Sequence, residues 1–144
     1  MRNFISSILS LAALAGCANP IEDAYTKGIH AYTAQNYTEA EKWIRQSAEA
    51  GHVDGMAIMG TMYLLGRGVD KNGNQAEYWL RKAANAGKID AQSMLGIMYA
   101  SGNGVPKNVQ EGLRWLEPAA QAGDMQARQM LTILKTGNAK KIGV

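Results

Sequence analysis

The sequence predicts an all-α protein, an α-solenoid of stacked antiparallel helical hairpins, and three observations support this prediction. Trp43, Trp79 and Trp115 are separated by equal steps of 36 residues, which is the signature of a repeat architecture. A unit of that length has too little surface to bury its own apolar stripe, so neighbouring units must stack. Glycines and asparagines follow the same step, namely Gly51, Gly87, Gly123, Asn36, Asn72 and Asn108.

The N-terminal residues have the pattern of a signal peptide. Arg2 precedes an apolar run over residues 4–15, which is too short to span a hydrocarbon core of about 30 Å. The run leads into Leu-Ala-Gly-Cys ending at Cys17, which resembles the bacterial lipobox and implies cleavage before Cys17 and acylation of it. We therefore expect a lipoprotein signal peptide at 1–16, and the acylated cysteine with a short tether at 17–19. Ordinary secretion and a free thiol are the alternatives.

The expected lipid anchor places the protein close to a membrane. By resemblance to enterobacterial sorting, Ala18 favours the outer membrane, with the protein facing the periplasm. Asn19 and Pro20 have the pattern of a capped helix start, so essentially only Ala18 separates the anchor from the fold. At about 3.5 Å per extended residue, the first hairpin would lie within roughly 10 Å of the membrane surface. We expect a protein partner that is itself at or near the membrane.

Each repeat is predicted to contain two helices. In the second unit the first helix covers residues 53–65, and Gly60 allows close approach of the second helix. Asn72 is followed three residues later by Gln75, a helix-start signal that recurs in the other units. Apolar residues at spacings of three and four around Trp79 form a packing stripe, and Gly87 ends the helix in a left-handed conformation.

Many residues of the second unit recur 36 residues later in the third unit. These are Gly96, Tyr99, Gly102, Gly104, Val105, Trp115, Leu116, Ala119 and Gly123. This pattern resembles the Sel1-like repeat, a variant of the tetratricopeptide repeat with a longer loop inside the hairpin. The resemblance covers residues 20 to about 136 and implies a right-handed solenoid.

The resemblance also sets the expected divisions of the chain. Unit one has a shorter loop, since Gly28 to Ala40 is 12 residues whereas Gly60 to Ala76 is 16. Gly112 stands where the family has Ala, and we expect it to cost about 1 kcal/mol of helix stability. The divisions are a tetratricopeptide-like repeat at 20–52, Sel1-like repeats at 53–88 and 89–124, a capping helix at 125–136 and a flexible tail at 137–144.

Charge and composition disfavour several classes of function. The formal net charge of +3 is spread among acidic residues, and no basic stripe suits a nucleic acid. Cys17 is the only cysteine, so no disulfide is expected. His30 and His52 fit no metal-ligand spacing, and His52 is expected to cap the preceding helix or lie in solvent. No serine acylation motif occurs, so we expect no catalytic residue. We also expect no cofactor and no metal, and we expect the protein to be a monomer.

The remaining candidate is the concave wall, which the first helix of each hairpin lines in tetratricopeptide-like stacks. Its mixture of aromatic, aliphatic and acidic side chains suits a protein partner. The alternative is that Ile29, Leu64 and Ile97 merely pack between hairpins. The candidate residues are Tyr25, Ile29, Tyr32, Asp54, Ala57, Thr61, Leu64, Asp90, Ser93, Ile97 and Ser101.

These features lead to one principal functional hypothesis. It is a periplasmic protein-binding scaffold, and more sharply an immunity protein that neutralises an antibacterial toxin such as a secreted phospholipase, as lipoproteins of this type do. One alternative is an envelope hydrolase or β-lactam-binding enzyme. Another is a surface lipoprotein that contacts a host protein.

Overall fold

The computed structural model describes residues 19–142, and this part of the chain folds into seven α-helices without a β-strand. The expected signal peptide, Cys17 and Ala18 lie outside the described residues. The predicted all-α solenoid of helical hairpins is confirmed. The helices are α1 Pro20–Thr33, α2 Tyr37–Glu49, α3 Val53–Leu65, α4 Gly73–Asn85, α5 Ile89–Ser101, α6 Val109–Gln121 and α7 Met125–Ile142.

The second helix of each hairpin begins at the asparagine that the sequence indicates. The side chains of Asn72 and Asn108 accept hydrogen bonds from the backbone amides three residues later, at 3.1 and 3.0 Å, and Asn36 does the same at 3.4 Å. These bonds satisfy amides that have no partner within the helix. The helices then end before glycines in the left-handed region, with φ of 97° at Gly51 and 91° at Gly87.

Consecutive helices pack against one another from α1 to α7, and α7 also contacts α5. The core consists of three clusters of buried side chains that follow one another along the stack. Ile44, Leu80 and Leu116 occupy equivalent positions at the three hairpins and are fully buried. The last cluster is closed by α7, which contributes Ala127 and, at its edge, Met130. Stacking therefore buries the stripe that no single hairpin can bury.

Two expectations about the helices themselves require correction. The final helix continues to Ile142, whereas we expected it to end at residue 136. Gly112 is a requirement of packing rather than a defect, because a Cβ there would lie 2.9 Å from both the Ala100 nitrogen and the Gly96 oxygen. The helices α5 and α6 can approach this closely only if residue 112 has no side chain.

None of the helices between residues 19 and 142 is long and apolar enough to cross a bilayer.

Candidate functional site

The predicted binding residues all lie on α1, α3 and α5. We refer to the surface formed by these three helices and the start of α7 as the first-helix face. Three residues, one at each turn between repeats, connect these helices to one another. Each lies immediately after the glycine that ends the preceding helix. These residues are His52, Lys88 and Asp124, again 36 residues apart, and together they are called the N-cap row.

The first member of the N-cap row joins α3 to α1. The His52 Nδ1 atom accepts a hydrogen bond of 3.2 Å from the Gly55 backbone amide, and Nε2 lies 3.1 Å from a carboxylate oxygen of Glu22. The imidazole stacks on Tyr25 with ring centroids 4.1 Å apart. Burial, followed by the negative charge of Asp54, raises the pKa of Tyr25. His52 therefore caps the helix that follows it. Our expectation that it caps the preceding helix or lies in solvent is wrong.

The second member joins α5 to α3 through charge. The Lys88 ammonium lies 2.8 Å from a carboxylate oxygen of Asp54 and 3.5 Å from one of Asp90. The hydrogen bond to Asp54 is the main reason that the pKa of Lys88 is raised. The Lys88 side chain makes no capping hydrogen bond to the backbone of α5, so this position links the repeats instead of capping α5. Asp54 is already partly engaged within the protein.

The third member joins α7 to α5 through a hydrogen bond between a hydroxyl and a carboxylate. The Ser93 hydroxyl donates to an Asp124 carboxylate oxygen at 2.7 Å, and the same oxygen accepts from the Ala127 backbone amide at 2.7 Å. Ser93 is only 1% exposed. A partner cannot contact Ser93 without displacing α7, so we remove this residue from the predicted binding surface.

Five other predicted residues are half-buried and pack on the core. Ile29 and Tyr32 border the first cluster of the stack, and the Tyr32 hydroxyl also accepts a 2.8 Å hydrogen bond from Arg67. These contacts favour the packing alternative for the aliphatic members, which leave only part of each side chain for a partner. The residues of this half-buried group are Ile29, Tyr32, Ala57, Leu64 and Ile97.

The remaining predicted residues have polar side chains. The Thr61 hydroxyl donates to the Ala57 carbonyl at 2.9 Å, and the Ser101 hydroxyl donates to the Ile97 carbonyl at 2.7 Å. Asp90 differs from both, because its side chain is 71% exposed. The ten predicted residues that remain without Ser93 therefore lie along a surface of three helices rather than in one pocket, and Asp90 is their most accessible charge.

Asp90 borders a cleft of about 620 Å³ between the start of α5 and the turn from α6 to α7. Met125 is 67% exposed there, and Met94 is half-buried. Met125 and Asp124 were not among the residues predicted from the sequence, although Asp124 lies on the 36-residue step directly after Gly123. The residues that line the cleft are Ile89, Asp90, Met94, Ala122, Gly123, Asp124, Met125 and Gln126.

Within the described part of the chain, no three His, Cys, Asp or Glu side chains are grouped so that they could hold a metal ion. The chemistry that the first-helix face offers is apolar contact from methionine and aliphatic side chains, together with carboxylates at its edge. Such a surface suits recognition of another molecule through burial and charge.

Comparisons with known proteins agree with this architecture. The family model described as Sel1 repeat matches residues 9–52, 53–88 and 89–124. The crystal structure of a Sel1 repeat protein from Oxalobacter formigenes is 34% identical, with a TM-score of 0.69 over 78% of this chain and 87% of that protein. No curated protein sequence gave a significant match.

Two further structures are similar. The first is c5321, a protective antigen of uropathogenic Escherichia coli with an SLR fold, which is 32% identical with a TM-score of 0.71. The match covers 85% of this chain but only 26% of c5321, so this chain corresponds to about a quarter of that protein. The second is Helicobacter pylori cysteine rich protein B, which is 19% identical with a TM-score of 0.59 over 80% of this chain and 98% of that protein, and it supports the fold alone.

Proposed function

The chain belongs to the Sel1 repeat family, and from this premise we propose that it is a membrane-anchored periplasmic scaffold that binds a protein. Sel1 repeats generally mediate protein–protein interactions and are generally not catalytic. The proposal rests on the first-helix face, which presents the exposed carboxylates of Glu22 and Asp90 and, at the end of the stack, the exposed side chain of Met125. A rigid repeat surface of this kind binds an extended or helical partner with little loss of its own entropy.

The anchor in this proposal is an acylated Cys17. Each buried methylene of an acyl chain contributes about 0.8 kcal/mol, so several chains hold a protein at a bilayer. The helix start at Pro20, capped by Asn19, supports a short tether and a partner near the membrane. We place the protein at the outer membrane, facing the periplasm, because Ala18 follows the cysteine.

The more specific form of the proposal is toxin immunity. A small anchored binder near the membrane is suited to neutralise an incoming antibacterial toxin, such as a phospholipase, before it reaches its lipid substrate. We expect that a deletion strain is killed by sibling cells that secrete the toxin, and that the wild-type gene restores survival. Equal survival of deletion and wild-type strains in competition would refute immunity but leave binding to another protein open.

The direct test of the scaffold is affinity capture from envelope extracts. The chain with Cys17→Ala and an ordinary secretory signal serves as bait, and mass spectrometry identifies captured proteins. We expect one protein to be enriched at a fixed stoichiometry, and recovery of only abundant background proteins would contradict the proposal. Protection by the anchored and non-acylated forms is then compared in cells, because equal protection would show that membrane proximity is not required.

A second candidate is exposure at the cell surface for contact with a host protein. It is favoured by one comparison, in which the similar protein c5321 is described as a protective antigen. Protease treatment of intact cells separates the two locations, since a periplasmic protein stays intact until the outer membrane is opened.

A further inference from the structure

The first-helix face carries one acidic residue per hairpin at equivalent positions. Glu22, Asp54 and Asp90 each lie six residues before the glycine at which the two helices of their hairpin meet. Each carboxylate therefore stands near the N-terminus of its helix, on the side where the next repeat begins. The three carboxylates differ in the side chain that the next repeat places beside them.

At the first two junctions the N-cap row brings a basic side chain to the carboxylate. His52 lies 3.1 Å from Glu22, and Lys88 lies 2.8 Å from Asp54. At the third junction the row brings Asp124, whose bonded oxygen is occupied by Ser93 and by a backbone amide. The chain therefore places a second carboxylate, not a base, beside Asp90.

Asp90 is left with a weak internal contact. Its only ion pair within the described part of the chain is with Lys88 at 3.5 Å, and Lys88 makes its shorter contact with Asp54. The cleft beside Asp90 has apolar walls formed by Ile89, Met94 and the 67% exposed Met125. Thioether side chains adapt their shape to a ligand, and Lys and Arg have long aliphatic stems that cover apolar surface.

Within the described part of the chain, no basic side chain of α7 forms an ion pair with Asp90. The Arg128 Nε atom donates a 3.1 Å hydrogen bond to the Ala120 carbonyl. Residues 140 and 141 lie on the same continuous helix as Met125, and at a rise of 1.5 Å per residue their backbones are about 23 to 24 Å away along the axis. Charge complementarity at the cleft must then come from another molecule.

We propose that the cleft between α5 and α7 binds a lysine or arginine side chain of the protein partner. The cation contacts Asp90 as Lys88 contacts Asp54, and the aliphatic stem lies on Met94 and Met125. This inference rests on the proposed function and deepens it, because it states the chemistry by which the partner engages the end of the stack.

The test uses two short peptides that differ in one group. One is acetyl-Ala-Leu-Arg-Leu-Ala-amide, and the other has citrulline, the neutral isostere of arginine, in place of Arg. Purified protein labelled with ¹³C at the methionine methyl groups is titrated with each peptide. We expect the methyl signals of Met125 and Met94 to shift, and the arginine peptide to bind about fivefold more tightly, as a partly exposed ion pair allows.

Two variants assign this preference to the cleft. Asp90→Asn is expected to make the two peptides bind equally, whereas Asp70→Asn, which removes an exposed carboxylate from the α3–α4 loop, keeps the fivefold difference. Met125→Ala is expected to lower the affinity for both peptides by the same factor, because it shortens the apolar wall of the cleft without changing the charge. The Asp90→Asn and Met125→Ala variants replace exposed side chains, and a circular dichroism spectrum of each variant, including the Asp70→Asn control, shows whether it is folded.

Three results would overturn the inference. They are equal binding of the two peptides to the wild-type protein, an unchanged preference in Asp90→Asn, and shifts confined to methionines away from the cleft. A Met125 signal that moves with protein concentration alone would show that a second copy of this chain fills the cleft. The peptide test does not involve the natural partner, so failure of affinity capture refutes the proposed function while leaving this result standing, and the reverse also holds.

Discussion

The α3–α4 and α5–α6 hairpins have equal helix lengths and equal loops, yet their tryptophans lie in different polar surroundings. The Trp115 Nε1 atom donates a 3.0 Å hydrogen bond to Glu111, four residues earlier in the helix. At the corresponding place in the other hairpin stands Gln75, and the Trp79 Nε1 atom is buried with no hydrogen-bond partner among the described residues. Trp79 has the more buried ring, at 5% exposure, but the less satisfied nitrogen.

The difference extends to the arginine of the preceding hairpin. Arg81 lies 3.7 Å from Glu111 and 5.6 Å from the centroid of the Trp115 ring. Its equivalent, Arg45, contacts Glu41 and Tyr63, and Lys82 instead lies over Trp79. A carboxylate in place of Gln75 would attract an arginine to a position over the Trp79 ring. One amide in place of one carboxylate therefore changes how two repeats are joined.

Packing at the start of the second helix differs as well. A Cβ at Gly73 would lie 1.6 Å from the Gly104 carbonyl oxygen, because the following loop rests directly on this position. The corresponding residue in the next hairpin is Val109, which is half-buried. The same repeat position thus holds a branched side chain in one hairpin and requires glycine in the other. The difference depends on whether the loop of the next repeat packs against it.

The largest effect is expected at this contact. Gly73→Ala should reduce the free energy of unfolding by about 3 kcal/mol, because the loop around Gly104 must move to admit a methyl group. Urea denaturation followed by circular dichroism measures the loss. Val109→Ala is the matched control and should cost about 1 kcal/mol through lost burial. Equal losses at the two sites would show that the loop accommodates the methyl group freely.

The second prediction concerns Gly112. Gly112→Ala should lower the free energy of unfolding by about 1 to 2 kcal/mol, since overpacking against the backbone of α5 outweighs the better helix propensity of alanine. The control is Gly137→Ala in α7, where a Cβ meets nothing within 4 Å. That change should be neutral or stabilising by up to about 1 kcal/mol. A higher melting temperature for Gly112→Ala would contradict the close-contact argument.

The third prediction makes the α3–α4 hairpin more like its neighbour. Gln75→Glu should raise the free energy of unfolding by about 1 kcal/mol, because the buried indole N–H gains an acceptor. The gain should vanish in a Trp79→Phe background, which separates it from any effect of charge at the helix N-terminus. Conversely, Glu39→Gln should cost about 1 kcal/mol by weakening the 2.5 Å hydrogen bond from Trp43. A gain that persists without Trp79 would assign it to the helix dipole.

The smallest effect is expected at the junction of α4 and α5. Burial alone would raise the pKa of Glu77, but hydrogen bonds from Tyr99 and Arg81 outweigh it and lower the pKa below its ordinary value of 4.5. A lowered carboxylate pKa stabilises the fold above the unfolded value, and this stability is lost as the pH falls through the folded value. Tyr99→Phe should therefore cost about 0.5 to 1 kcal/mol at pH 7.

The measurement for this junction is the free energy of unfolding between pH 7 and pH 3. The difference between wild type and Tyr99→Phe should shrink as Glu77 becomes protonated. Tyr63→Phe at the preceding junction is the control, because the Tyr63 hydroxyl accepts its hydrogen bond from Arg45 at 3.0 Å and the guanidinium does not titrate in this range. A pH-independent difference for Tyr99→Phe would contradict the assignment.

Among the candidate site residues, the sequence was informative about position and less so about role. In the structure the Asp90 side chain is 71% exposed, and Tyr25 and Asp54 lie on α1 and α3; their role in binding stays a prediction. It did not reveal that Tyr25 stacks on His52 or that Ser93 is covered by α7. Those partners lie about 30 residues away in the chain, and their contact depends on how one repeat is rotated against the next.

The sequence by itself determined the helical hairpins, the asparagine caps of their second helices and the 36-residue repeat, because capping and helix termination act between residues a few positions apart. The period then required stacking, since each unit exposes an apolar stripe. Only the tertiary structure decided which face residues serve the stack and which remain for a partner. Whether Gly112 is a cost or a requirement, and whether Ser93 or Asp90 is accessible, depends on the distance between backbones of different helices, and no local pattern records that distance.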